Sequence, residues 1–148
     1  MAGDAISLAE AIRAGRLSAS EAMEASLAAT RRWAEIGALA HVDPILGRAA
    51  AENADARLSR SPGDAQAQPF FGVPSLAKDL GGPFAGLPVT AGSNMLERST
   101  AASQDSDLAA RLRAAGLCFF GLTTVPEMGL SLASERPISG TVVSPKKQ

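Results

Sequence analysis

Lysine is almost absent from this sequence. Lys78 is the only one before the final three residues, and arginine carries nearly all the other positive charge. Arginine stays protonated in proteins, whereas a desolvated lysine can lose its proton and act as a base. Lys78 is therefore the residue best suited to proton-transfer chemistry. It lies in Gly72-Val73-Pro74-Ser75-Leu76-Ala77-Lys78-Asp79, an apolar run that feeds a Gly/Pro-rich loop. Two readings compete here. In one, Lys78 is a strand-end lysine paired with a carboxylate such as Asp79 or Glu127, because lysines are rarely buried unpaired. In the other, it is a general base beside a serine nucleophile, as in Ser–Lys variants of acyl transfer.

The other candidates have plainer readings. Ser75 is three residues from Lys78, which in a strand puts it on the opposite face. Ser93 and Ser139 each sit beside a glycine, where serines form turns and caps. Glu127 reads as a helix cap or an ion-pair partner. Cys118 lies in an apolar run and reads as an inert core thiol. His41 has no acid or metal partner in view and reads as a surface or packing residue. The lysines of the tail read as a solvated end.

The elements that must position Lys78 follow from caps and periodicity. Ser7 with Glu10 and Ser18 with Glu21 have capping-box spacing. The first helix should stop near Gly15, and the second should run from about Ala19 to Ile36, ending at Gly37. Asp43-Pro44 should open a third helix reaching about Ser59, with proline in the first turn. A polar connector covers 60–69. Phe70 to Ala77 is predicted as a buried strand, followed by a loop over 79–93 rich in Gly and Pro. A helix from about Ser106 to Ala115 should be capped by Asp105 or Ser106 and closed by Gly116. Leu117 to Gly121 is predicted as a second buried strand. Thr124 with Glu127 resembles another capping box, opening a short helix to about Leu132. The segment from Ser139 to Pro145 is read as the start of a strand or loop. Strand, loop, helix, strand is an α/β order.

The 148 residues suffice for one ordinary domain, and 46% apolar with 20% charged residues is a globular composition. A net charge of −1 offers no basic footprint for nucleic acid. One cysteine and one histidine exclude an internal disulfide and a metal-binding thiol cluster. No apolar run is long enough for a membrane span, and the N-terminus lacks the order of a signal peptide. The default expectation is a cytoplasmic protein without cofactor or metal.

Four ordered blocks carry a resemblance. They are Gly72 to Asp79, then Thr90-Ala91-Gly92-Ser93, then Asp105 to Gly116, then Gly121-Leu122-Thr123-Thr124-Val125-Pro126-Glu127-Met128. Together they resemble the amidase signature family, over nearly the whole chain to about Glu135. Such proteins hydrolyse carboxylic amides or transfer ammonia from glutamine, as the A subunits of glutamyl-tRNA amidotransferases do. They use a Ser–cis-Ser–Lys triad. The resemblance assigns the lysine of that triad to Lys78. Leu122 stands where the family often has a further, non-catalytic lysine.

The family's serines and oxyanion-hole amides lie in a Gly/Ser-rich segment. No stretch of that kind occurs in these residues, and the corresponding place is near Ser144-Pro145. The resemblance therefore implies an N-terminal portion of an amidase-like domain over 1–148. Residues 1–60 would form a helical layer, and 70–148 the start of an incomplete mixed sheet. The expected activity is amide C–N hydrolysis, with this chain alone inactive. The alternatives are a non-enzymatic binding or regulatory remnant, or one half of a split amidase or amidotransferase. The expected partners are a small amide substrate once the serines are supplied, and a protein at the open sheet edge.

Overall fold

A computed structural model describes residues 4–133, 135–136 and 140–141 of the chain. Helix α1 (Ala5–Arg13) begins earlier than the Ser7–Glu10 pair implies. Asp4 is its N-cap and accepts the Ser7 amide at 2.8 Å. The Ser7 hydroxyl donates to the Asp4 carbonyl. A carboxylate three residues upstream satisfies a free amide and complements the helix dipole, so the helix gains an extra turn.

Helix α2 (Ala19–Arg32) has the predicted Ser18–Glu21 capping box with both reciprocal bonds. It stops at Arg32, not at Ile36. Trp33 caps it, a 3-10 turn covers Ala34–Ile36, and Gly37 takes the left-handed conformation at φ 70°. Strand β1 (Leu39–Val42) follows at once. Its four half-buried residues show no alternation, so periodicity gave no signal for it. Helix α3 (Pro44–Arg60) starts as predicted, with the Asp43 carboxylate accepting the Ile45 and Leu46 amides. The polar connector contains a short helix, α4 (Pro62–Gln66), with proline in its first turn.

Strand β2 (Pro74–Lys78) is shorter than the apolar run and ends on the lysine. Residues 70–73 instead form a turn, with the Val73 amide on the Phe70 carbonyl and Gly72 at φ 73°. A side chain at Gly72 would meet Ala19 of α2 at 3.0 Å and Ile12 of α1 at 3.2 Å, so the bend lies directly against both helices. Helix α5 (Asp107–Ala114) is capped by Ser106, which accepts the Ala109 amide. Asp105 is used elsewhere: it accepts the Ala85 amide and pairs with Arg113 at 3.0 Å. Strand β3 (Cys118–Thr123) runs two residues further than Gly121.

The described residues form a three-stranded mixed sheet in the order β1-β3-β2, with β1 antiparallel and β2 parallel to β3. One face carries a core of Ile12, Met23, Leu27, Phe71 and Phe120 under the first three helices. The other carries Ala77, Phe84, Leu87, Phe119 and Leu122, closed by Ala109 of α5. Two-residue strands β4 (Glu135–Arg136) and β5 (Gly140–Thr141) pair antiparallel as a separate two-stranded sheet. No helix among the described residues is long and apolar enough to cross a membrane.

The expected helix at Thr124–Leu132 is corrected to a single 3-10 turn, Glu127–Gly129. Thr124 does not cap it. Its amide donates to the Ala38 carbonyl at 2.8 Å, and the residue is buried. Met128 at φ 51° and Gly129 at φ 73° stop any continuation.

Candidate active site

Lys78 is the last residue of β2, paired in parallel with Thr123 at the end of β3. Its side chain is exposed, and its ammonium donates to the Thr124 carbonyl at 3.1 Å. Lysines become neutral bases through burial. The burial expected of a base is not provided by the described residues around it.

Asp79 is the most buried carboxylate near the site, at 1% exposure. Its carboxylate accepts the Thr90 amide at 2.8 Å, the Thr90 hydroxyl, and the Gly92 amide at 3.4 Å. Glu127 accepts the hydroxyl of fully buried Ser93 at 2.8 Å. Ser93 also accepts the Met95 amide and caps a 3-10 turn, Asn94–Leu96, the capping role expected of a serine beside a glycine. The loop at 90–93 and the turn at 125–129 are thereby one unit beside the lysine.

The remaining candidates are dispersed. Ser75 lines an apolar groove of about 430 Å³ with Trp33, Leu39 and Leu76. His41 is half-buried in β1 and shares a smaller cavity of about 160 Å³ with Asp79, Thr90 and Glu97. Cys118 is buried, and burial pushes its thiol from an ordinary 9.0 up to about 11. Ser139, Ser144 and the tail lysines lie outside the described residues. Sequence reasoning missed the Thr124 carbonyl and the Asp79 clamp. Their segments were singled out as motifs, but residue types alone carry no sign that two loops over thirty positions apart interlock.

The backbone defines the class of protein. It superposes on 6-aminohexanoate cyclic dimer hydrolase with a TM-score of 0.80 and 30% identity, covering 95% of this chain and 27% of that one. A structure described as a vestigial protein complex that reveals the origins of an s-triazine catabolic enzyme matches with a TM-score of 0.87. That match has 27% identity and covers 98% of this chain and 31% of the other. The Amidase family model matches residues 21–148, so the chain belongs to the amidase family. A curated relative from Ralstonia nicotianae, the glutamyl-tRNA(Gln) amidotransferase A subunit, is 36% identical over 140 residues. The match covers 93% of this chain and 27% of the relative. The chain thus spans about a quarter of the length of such relatives.

Proposed function

We propose that this chain supplies the lysine of an amide-cleaving acyl-transfer site, and that the two serines come from sequence outside these 148 residues. The observation that carries the reading is the place of Lys78. It ends the parallel pair, open to approach, in a chain that belongs to the amidase family. In the family's scheme a nucleophilic serine attacks the amide carbonyl while its proton passes through the bridging serine to the lysine. The leaving amine then takes that proton, and water or ammonia releases the acyl group. Backbone amides must hold the oxyanion. The covering segment would also remove Lys78 from solvent, as its role as a base requires. The substrate is a small carboxylic amide. The site is cytoplasmic, in keeping with a single cysteine kept as a buried thiol.

The test uses small aliphatic and aryl amides. The chain alone is expected to give no turnover. Mixed with a polypeptide carrying the Gly/Ser-rich segment and remainder of an amidase-family relative, it should turn amides over, and Lys78→Ala should abolish this. Equal turnover by Lys78→Ala and the parent in the mixture would refute the assignment.

A second reading is favoured by the sheet itself. Strands β1 and β2 are both edges among the described residues, and an open edge is a template for pairing with another chain. On that reading the chain binds a protein partner without chemistry. Association with the relative's polypeptide in the absence of turnover would support it, and absence of association would exclude it.

A further inference from the structure

We propose that Asp79 and Gly92 are positioning residues for Lys78, acting through the Thr124 carbonyl. The proposal rests on the reading of Lys78 as the base and concerns what sets its amine in place.

The Lys78 ammonium is held by the carbonyl of Thr124. That carbonyl's position depends on the peptides that follow it. Gly92 lies directly against them: a side-chain carbon there would sit 2.6 Å from the Val125 carbonyl oxygen and 3.1 Å from the Pro126 carbonyl. Its φ of +67° is a second reason for glycine. The flanking residues bind the same turn. The Ala91 carbonyl accepts the Met128 amide at 2.8 Å, and the Ser93 hydroxyl donates to Glu127. Ala91 and Met128 are the non-glycine residues with positive φ among those described, at 48° and 51°. Such conformations persist where the surroundings over-determine them.

Asp79 anchors this assembly from below. Its carboxylate takes the Thr90 amide on one oxygen, and the Thr90 hydroxyl and Gly92 amide on the other. Its own amide donates to the Thr123 carbonyl at 3.3 Å, one residue before Thr124. The residue next to the lysine therefore grips both the loop that backs the turn and the strand that leads into it. An asparagine cannot replace it. Whichever way the amide is placed, its NH2 faces a backbone amide that also donates.

The chain has three lysines, at 78, 146 and 147, so the tail pair serves as an internal reference. The experiment measures Lys78 acylation by trace acetic anhydride relative to the tail lysines, by mass spectrometry on the full chain. The lysine Cε signals are recorded by NMR, with Lys78→Arg giving the assignment. Asp79→Asn and Gly92→Ala are expected to free the amine. The acylation ratio should rise by about threefold or more, the equilibrium worth of one ordinary hydrogen bond, and the Lys78 signal should move towards that of a free lysine in a short peptide. Thr90→Val keeps the volume, removes one hydroxyl, and should move both readouts less in the same direction. It carries the test where the other two unfold. Gly116→Ala controls for general loosening, because its added carbon would strike the Phe71 backbone at 2.6 Å, away from the lysine. Parental ratios and shifts in every variant that folds, or an equal response in Gly116→Ala, would overturn the proposal. These readouts require no turnover. A response here with a mixture indifferent to Lys78→Ala would sink the base assignment and leave the positioning intact. The reverse pattern would sink the positioning alone.

Discussion

The Cys118 thiol donates to the Ala50 carbonyl across 3.7 Å, inside the core between β3 and α3. The thiolate is the reactive form of cysteine, and burial here raises the thiol from 9.0 to about 11. The folded state therefore prefers the neutral thiol more than the unfolded state does. Below the unfolded value this contribution is fully present, and it is lost as pH rises from about 9 through about 11. The loss should reach about 2 kcal/mol at pH 10.5, at 1.36 kcal/mol for each pKa unit. Urea midpoints from pH 8.5 to 10.5 should accordingly fall more steeply in the parent than in Cys118→Ala. Parallel slopes would show that burial does not act on this thiol. Thiol reagents at pH 8 should also leave Cys118 unmodified until the chain unfolds. The apolar run around Cys118 made this core position legible in the sequence. Lys78 stood out in the sequence for a different reason, its rarity. The Asp79 contacts were not, because a carboxylate beside a lysine reads most simply as that lysine's partner, and nothing local directs it to Thr90.

At the scale of elements, the start of α2 is held twice. Ser18 and Glu21 close the capping box within the helix. Asp55 of α3 then reaches across to accept the Ala19 amide at 2.7 Å, the Ser20 amide at 3.1 Å and the Ser20 hydroxyl at 2.6 Å. Ser18→Ala should cost about 1 kcal/mol, the ordinary value of an N-cap. Asp55→Ala should cost about 2 kcal/mol or more, because it strands two amides at once and unties α2 from α3. Chemical denaturation of the two variants gives the comparison, and an Asp55→Ala loss smaller than that of Ser18→Ala would refute the ranking. The Arg48–Glu24 pair joins the same two helices on an exposed surface. Salt should screen it, and its removal should matter less than either cap. The same two helices show what sequence can carry. The Ser18 cap was readable because its partner is three residues away. The Asp55 cap was not, because its partners are 35 and 36 residues away. Strand β1 escaped for a related reason. It exists by pairing with β3, and its half-buried residues leave no pattern of their own. At Glu127 a locally sound helix start lost to tertiary contacts, since its carboxylate is engaged by Ser93.

At the scale of the molecule, several large apolar side chains near the lysine end of the sheet stand open to solvent. Met95 is 89% exposed and Leu130 88%, with Leu80 also exposed and lying within 2.7 Å of where a side chain at Gly129 would begin. Both loops flanking Lys78 thus present large apolar side chains to water. Groupings of that kind mark surfaces built to be covered. A net charge of −1 adds little repulsion to keep copies apart. The 148-residue polypeptide should therefore associate as its concentration rises, and its thermal transition should shift with concentration. Sedimentation velocity over a wide dilution series measures the first effect and calorimetry the second. Replacing Met95 and Leu130 with glutamate should weaken association and leave the dilute-limit midpoint nearly unchanged, because side chains this exposed contribute little to the core. If the double variant associates as the parent does, the open edges of β1 and β2 are the contact, and strand pairing governs the behaviour. A chain that stays monomeric throughout the series, with a cooperative and concentration-independent transition, would show that neither the apolar loops nor the edges need a partner.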